Sequence, residues 1–221
     1  MKRRLVLAGF SIALFAAGAG KLKRLAEPDV PLSDLPRHPE LKNGLMPHLK
    51  PGDILFRGRD NSWGELGAMA SRVDKRYGHV GVVMGEGTEW NVVSATGNPF
   101  EGDGAVISEP LKKFIGLSTR VGLYRLAIGA DEFAVFLSAI ETHIAQKTRF
   151  DRLYNINENE AVYCTELIWL CLNAAIGRDV ISDKTQWRGR DVIALDDLQR
   201  LSFMKDIIHL DQEKLKTSDS A

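Results

Sequence analysis

Cysteines, an excess of basic residues and metal-ligand motifs are all scarce or missing in this sequence, and each scarcity excludes a class of protein. Its 221 residues contain two cysteines, too few for a scaffold built from disulfides. Basic and acidic residues number 29 each, so the basic excess typical of nucleic-acid-binding proteins is missing, and no nucleic-acid partner is expected. No histidines or cysteines are spaced as metal ligands, and we expect neither a metal nor another cofactor. A hydrophobic content of 44% nevertheless supplies a core and excludes global disorder.

The N-terminus carries the pattern of an export signal. Lys2, Arg3 and Arg4 precede sixteen residues without a charge, and the small residues Ala17-Gly18-Ala19 resemble a cleavage site. A spanning helix needs about 20 apolar residues, which favours a cleaved signal over a retained anchor. We therefore expect residues 1–20 to be a signal peptide or N-terminal anchor. The protein would then be periplasmic, or held facing the periplasm with residues 5–20 in membrane contact.

The remaining chain divides by composition. Six of the eight prolines fall within residues 21–51, so residues 21–50 are predicted to be an extended, proline-rich lead-in. The folded domain is expected over 51–210, followed by a charged, disordered tail over 211–221.

Hydrophobic periodicity within that domain predicts an α+β fold with a central antiparallel sheet. Residues 78–84 and 89–95 form a predicted hairpin around a turn at Gly85–Thr88. Other predicted strands are 54–56, 104–108 and 120–126; predicted helices are 63–73, 110–116, 131–147, 164–176 and 195–201, with 203–210 either strand or helix.

Cys164 is the first candidate for chemistry, because it lies between a polar loop and a long apolar helical run. Unpaired N–H groups and the dipole at a helix start favour a thiolate, the form of cysteine that attacks carbonyl carbon. Seven helical residues span about 10.5 Å, too far for a disulfide between Cys164 and Cys171. Cys171 is therefore interpreted as a packing residue. The competing interpretation of Cys164 is a buried cysteine that also only packs.

A nucleophilic thiol needs a base, and His79 is the best placed of the five histidines. It lies in a predicted strand between Gly78 and Gly81, which leaves space for another element to approach the imidazole. The alternative is a core histidine that is simply hydrogen-bonded.

These residues resemble a known family. Gly-Asp-Ile-Leu-Phe at 52–56, Gly-His-Val-Gly-Val-Val at 78–83 and Tyr-Cys-Thr-Glu-Leu-Ile-Trp at 163–169 are similar to the circularly permuted papain-like amidases, the YiiX/YebB-type branch of the NlpC-related cysteine hydrolases. Histidine precedes cysteine in this branch, as here, and Phe150-Asp151 fits the family's aromatic-Asp step. The resemblance covers about residues 50–205.

The resemblance implies a permuted papain-like fold with the nucleophile at the N-terminus of a packed helix. Cys164 would attack an amide, and His79 would protonate the leaving group and activate water. The oxyanion would be bound at the helix start around Thr165, and Tyr163 would line the substrate site or only pack. The expected partner is a cell-envelope peptide or acylated small molecule, such as a cell-wall peptide or an N-acyl amino acid. Two alternatives remain: a catalytically weak module that binds such ligands, and an acyltransferase.

The third catalytic position departs from the family pattern. With a turn at Gly85–Thr88, Met84 pairs with Glu89 and His79 pairs with Ser94, whereas the family usually has a carboxylate. Ser94 is therefore the predicted group that orients the imidazole, although it cannot stabilise imidazolium charge as a carboxylate does. Asn91 is expected on the other face of the hairpin.

Overall fold

The computed structural model describes residues 39–59, 68, 70–87, 89–97, 104–116, 118–158 and 160–218. The predicted signal or anchor over 1–20 lies outside these residues, as does most of the helix predicted over 63–73. None of the helices among the described residues is long and apolar enough to cross a membrane.

One curled sheet of eight strands organises the molecule, in the order β10-β5-β1-β2-β3-β4-β6-β7. All neighbours are antiparallel except β6 and β7, and a separate hairpin joins β8 to β9. The predicted α+β class with a central antiparallel sheet is confirmed. The strands are β1 (Ile54–Gly58), β2 (His79–Glu86), β3 (Glu89–Gly97), β4 (Gly104–Pro110), β5 (Arg120–Leu126), β6 (Arg149–Phe150), β7 (Ala161–Val162), β8 (Thr185–Trp187), β9 (Arg190–Val192) and β10 (Met204–Asp211).

Helices cover both faces of the sheet, because alternate strand residues point to opposite sides. On one face Phe56, Val80 and Val93 pack with the two long helices, and on the other Leu55 and Val83 pack with short helices. The helices are α1 (Pro39–Leu45), α2 (Leu111–Ile115), α3 (Ala130–Ala145), α4 (Cys164–Ile176), α5 (Leu195–Gln199) and α6 (Gln212–Ser218), with a 3₁₀ turn at Met46–His48.

Both ends of the predicted domain need correction. Residues 39–48 are helical rather than an extended lead-in. Leu41 and Leu45 are fully buried in the apolar core on the sheet face that carries Leu55 and Val83. A spacing of four residues places these two leucines on one helix face. Residues 211–218 are likewise ordered, since Asp211 ends β10 and the helix α6 follows.

The helix that carries Cys164 begins and ends for local reasons. Glu166, in its first turn, accepts the backbone N–H of Tyr163 at 3.2 Å and so satisfies a donor at the helix start. Gly177 ends the helix with a φ of 74°, a left-handed conformation that glycine adopts without strain.

Candidate active site

Three strand ends and one helix start lie around a cavity at one edge of the sheet. Strands β1 and β3 end there, at Gly58 and Gly97, while β2 begins there, at His79. The N-terminus of α4 covers this edge, so Cys164 and His79 line the same cavity. The topology thus brings together the two residues that the sequence analysis selected for thiol chemistry.

Cys164 is the first residue of α4, and its thiol is surrounded by backbone donors. The backbone N–H groups of Val80, Thr165 and Cys164 itself favour the thiolate and lower the pKa of Cys164, as does the charge of Arg57. Burial has the larger effect and raises the pKa of Cys164 to about 11. The resting thiol is therefore neutral near pH 7, in contrast to the thiolate expected from its position at a helix start.

Ser94 forms a side-chain hydrogen bond with His79. Its Nε2 lies 3.1 Å from Oγ of the fully buried Ser94, and its ring centroid lies 5.6 Å from that of Phe114. Burial lowers the pKa of His79 well below its usual value, and the nearby Arg57 and Arg59 lower it further. The imidazole is therefore neutral near pH 7. In the tautomer that donates Nε2–H to Ser94, Nδ1 remains available as a base.

The predicted contact between Ser94 and His79 is present, but the register used to predict it is wrong by two residues. Glu86 pairs with Glu89 and Met84 pairs with Asn91, so β2 continues two residues into the predicted turn while β3 begins at Glu89 as predicted. A shift of two residues keeps every side chain on its face. Ser94 therefore reaches the ring of His79 diagonally rather than from the directly opposite position.

Tyr163 and Thr165 line the cavity, and their hydroxyl groups are hydrogen-bonded to the backbone of Ile193. The Tyr163 hydroxyl accepts the N–H of Ile193 at 2.7 Å, and the Thr165 hydroxyl donates to the C=O of Ile193 at 2.6 Å. Both residues are buried. Together these hydrogen bonds attach the cavity wall at 192–195 to the start of α4. Thr165 offers its backbone N–H beside the thiol.

An aromatic wall completes the cavity and was not predicted. Phe150, Tyr154 and Trp187 line it, with the ring centroids of Tyr154 and Trp187 5.9 Å apart and those of Tyr154 and Tyr163 5.0 Å apart. Asp151 holds the loop that presents Tyr154, because its carboxylate accepts the N–H groups of Leu153 and Asn155 at 2.7 and 2.5 Å. In the sequence, the signal that could have indicated this wall was the aromatic residue followed by aspartate at 150–151.

Two arginines also line the cavity and were not predicted. Arg57 lies on β1 directly across from His79, and Arg59 follows the end of that strand. The side chain of Arg57 donates to the C=O of Phe114 at 2.9 Å and lies over the Phe114 ring, 4.7 Å from its centroid. Within the described part of the chain, no three histidine, cysteine or acidic side chains group as metal ligands.

A thiol at a helix start and an imidazole on a facing strand, with histidine first in the chain, define a permuted papain-like cysteine hydrolase. A model of the permuted papain-like amidase enzymes, the YaeF/YiiX, C92 family, matches residues 48–200. The chain therefore belongs to this family and is an enzyme of the cysteine amidase and peptidase type.

A solved relative supports the fold. The crystal structure of the metalloprotein YiiX from Escherichia coli O157:H7 is similar over 72% of this chain and 96% of its own, with 15% identity and a TM-score of 0.54. At this identity the likeness concerns the fold alone. The comparison with curated proteins finds no match.

Proposed function

We propose that this protein cleaves an amide bond through an acyl-enzyme on Cys164, with His79 as general base and acid. The observation that carries the proposal is the shared cavity, which Cys164 and His79 both line and in which Ser94 binds Nε2 of the imidazole. Membership of the chain in the permuted papain-like amidase family supports cleavage of an amide bond as the reaction type.

The reaction starts from a neutral pair. As Sγ of Cys164 attacks the carbonyl carbon, Nδ1 of His79 takes the thiol proton. The oxyanion forms beside the N–H groups at the start of α4, which stabilise its charge. The imidazolium then protonates the leaving amine, the C–N bond breaks, and a thioester remains. His79 next takes a proton from water, which attacks the thioester and releases the acid and the free thiol.

Ser94 limits this mechanism in a specific way. Its hydroxyl accepts Nε2–H and fixes the ring, but it offers no negative charge to the imidazolium. For this reason the second candidate function is a catalytically weak module that binds cell-envelope peptides or acyl ligands. An acyltransferase would follow the same steps, with an amine or alcohol in place of water.

The test is to trap the intermediate. The protein is mixed with N-acyl amino acids and cell-wall peptide fragments, quenched in acid and mapped by mass spectrometry. We expect an acyl adduct on Cys164 that is absent from Cys164→Ser and unaffected in the matched variant Cys171→Ser. Product analysis with and without an added amine or alcohol acceptor separates transfer from hydrolysis. Ligand binding without an adduct or a product would favour the binding module.

We propose substrates of the cell envelope, either cell-wall peptides or N-acylated amino acids, because the cavity combines an aromatic wall with a polar thiol site. The solved relative is described as a metalloprotein. The described residues of this chain provide no group of three metal-ligating side chains, and the mechanism contains no step at a metal.

We also propose export, on the basis of the three basic residues and the sixteen-residue uncharged run that follows them. A C-terminal phosphatase fusion in a bacterial host is expected to be active, with the mature N-terminus near Gly20. An intact Met1 on membrane-bound protein would favour the anchor. A fully active enzyme confined to the cytosol would contradict export.

A further inference from the structure

We propose that Phe114 is a positioning residue for the imidazole of His79: its ring packs against the imidazole and fixes the direction in which Nδ1 points. This inference rests on the proposed function, in which Nδ1 takes the thiol proton. It adds to that function a residue on which the reaction depends through His79 rather than through the substrate.

The hydrogen bond to Ser94 leaves one motion of His79 weakly restrained. Oγ of Ser94 lies 3.1 Å from Nε2, and Nε2 is close to the axis about which the ring turns at its Cβ–Cγ bond. Histidine has broad, roughly two-fold preferences for this rotation, so a contact near the axis resists it little. A group against the ring is needed to keep Nδ1, which is farther from the axis, in one direction.

Phe114 supplies that contact. His79 and Val83 lie on the same face of β2, because alternate strand residues point to opposite sides. Val83 belongs to the apolar core in which Phe114 of α2 is buried. The ring centroid of Phe114 lies 5.6 Å from that of His79, with an angle of 36° between the two planes. This geometry is within the range of favourable aromatic contacts.

Phe114 is itself held in place. It is fully buried, and its carbonyl oxygen accepts a hydrogen bond from Nη1 of Arg57 at 2.9 Å. The guanidinium carbon of Arg57 lies 4.7 Å from the centroid of the Phe114 ring, and Arg57 pairs with His79 across β1 and β2. Arg57, Phe114 and His79 are therefore each in contact with the other two, so the Phe114 ring is fixed where it restrains the imidazole.

The same contact keeps water from the imidazole. Burial is the main cause that lowers the pKa of His79, and the charges of Arg57 and Arg59 lower it further. The charged or titratable groups of the neighbouring elements are Arg57 and Arg59 on and after β1, Lys112 and Lys113 on α2, and Cys164 at the start of α4. Loss of the Phe114 ring would admit water and release Arg57 from its ring contact. Both changes should raise the pKa of His79 toward its ordinary value.

The test is a titration of His79 by NMR, which needs no substrate. The Cε1–H resonance is assigned by comparison with His79→Gln, and its midpoint is measured in the wild type and in Phe114→Leu, which removes the flat ring. We expect the midpoint to rise by about half a pH unit or more in the variant. The rate of acyl-adduct formation on Cys164 should fall about tenfold, because Nδ1 is no longer held in one direction.

The matched control is Phe136→Leu. Phe136 is equally buried, but it lies on α3 in the core on the other face of the sheet. The same substitution there should lower the Tm comparably and leave both the midpoint of His79 and the adduct rate unchanged. If Phe114→Leu does not fold, Phe114→Met takes its place, since methionine fills irregular space without a ring. In the wild type, a nuclear Overhauser effect between the ring protons of Phe114 and His79 is expected.

Three results would overturn the inference: no Overhauser effect between the two rings, an unchanged midpoint or adduct rate in a folded Phe114 variant, or an equal shift in Phe136→Leu. A failure of the proposed function is distinct, because it is judged in the wild-type protein by the acyl adduct on Cys164. An enzyme that forms the adduct equally fast without the Phe114 ring would keep the function and refute the positioning role. A Phe114-dependent midpoint in a protein that never forms the adduct would refute the function and confirm that Phe114 holds the imidazole.

Discussion

Glu166 allows the most quantitative prediction, because it is an acid enclosed in the protein two residues after the nucleophile. It is fully buried, and among the described residues its Oε1 has no hydrogen-bond partner. Burial, together with the nearby Asp151, raises the pKa of Glu166 to about 8, although the N–H of Tyr163 acts in the opposite direction. The folded protein therefore keeps this carboxyl protonated at neutral pH.

The sign of the effect on stability follows from the two pKa values. In the unfolded chain the carboxyl loses its proton above its ordinary value of 4.5, whereas in the folded protein it does so above about 8. Between these values the unfolded state binds fewer protons, so the free energy of unfolding falls as pH rises. At about 1.4 kcal/mol per pH unit, the difference sets an upper limit of about 5 kcal/mol, and local relaxation should reduce this to about 2–3 kcal/mol.

We predict that Glu166→Gln removes this fall. Relative to wild type, the variant should gain about 2–3 kcal/mol of stability between about pH 5 and about pH 8, measured by urea unfolding at several pH values. Comparing the two proteins cancels the other titrating groups they share, including Asp74 and Asp179, whose pKa values are lowered through hydrogen bonds to Arg76 and Lys184 despite burial.

Glu132 provides the matched control. It occupies the corresponding first-turn position of α3 and accepts the N–H of Gly129 at 2.8 Å, but in contact with solvent. Glu132→Gln should shift stability by an amount that does not grow with pH. If the difference between wild type and Glu166→Gln is likewise constant over this range, desolvation of Glu166 is not a source of pH dependence and the reasoning fails.

The remaining predictions concern the thiol and its partner. Because the pKa of Cys164 is raised to about 11, its alkylation should accelerate about tenfold per pH unit from neutral pH upward; a plateau near pH 6 in adduct mapping would contradict this. Cys171, 1% exposed and with its pKa raised to about 12, should react far more slowly at every pH, and equal rates would refute the assignment of Cys164 as nucleophile. Ser94→Ala should lower the turnover rate about threefold to tenfold, the cost of one hydrogen bond to His79, and an unchanged rate would make Ser94 a bystander. Ser94→Glu should restore turnover unless it overpacks the site, which a lowered Tm would reveal.

The sequence predicts best where local signals agree. The helix predicted over 164–176 has these bounds in the structure, because a polar loop precedes it, an apolar run fills it and Gly177 ends it. The predicted register of the hairpin was wrong because two glycines, Gly85 and Gly87, could each begin the turn. Gly85 and Gly87 both have positive φ, and Gly85 was taken to begin the turn, whereas it lies within β2 opposite Trp90. A Cβ at Gly85 would approach the carbonyl oxygen of Glu89 to 2.3 Å, so glycine is required there by packing.

The cavity walls could not be predicted because they are non-local. Arg57 follows three buried apolar residues on β1 and, by sequence, is an ordinary charge at a strand end. Its importance appears only when β1 pairs with β2 and places it across from His79. The hairpin bearing Trp187 has strands of three residues each, too short for any periodic pattern. The same applies to β6 and β7, two residues each.

The electrostatics of the site determine how demanding the first proton transfer is. Burial lowers the pKa of His79 well below its usual value, and Arg57 and Arg59 lower it further, so the imidazole is a poor base. Ser94 binds the ring but offers no negative charge to the imidazolium that the proposed attack creates. The transfer of the thiol proton to His79 is therefore the step most sensitive to a negative charge at position 94, so Ser94→Glu tests the proposed mechanism more directly than Ser94→Ala.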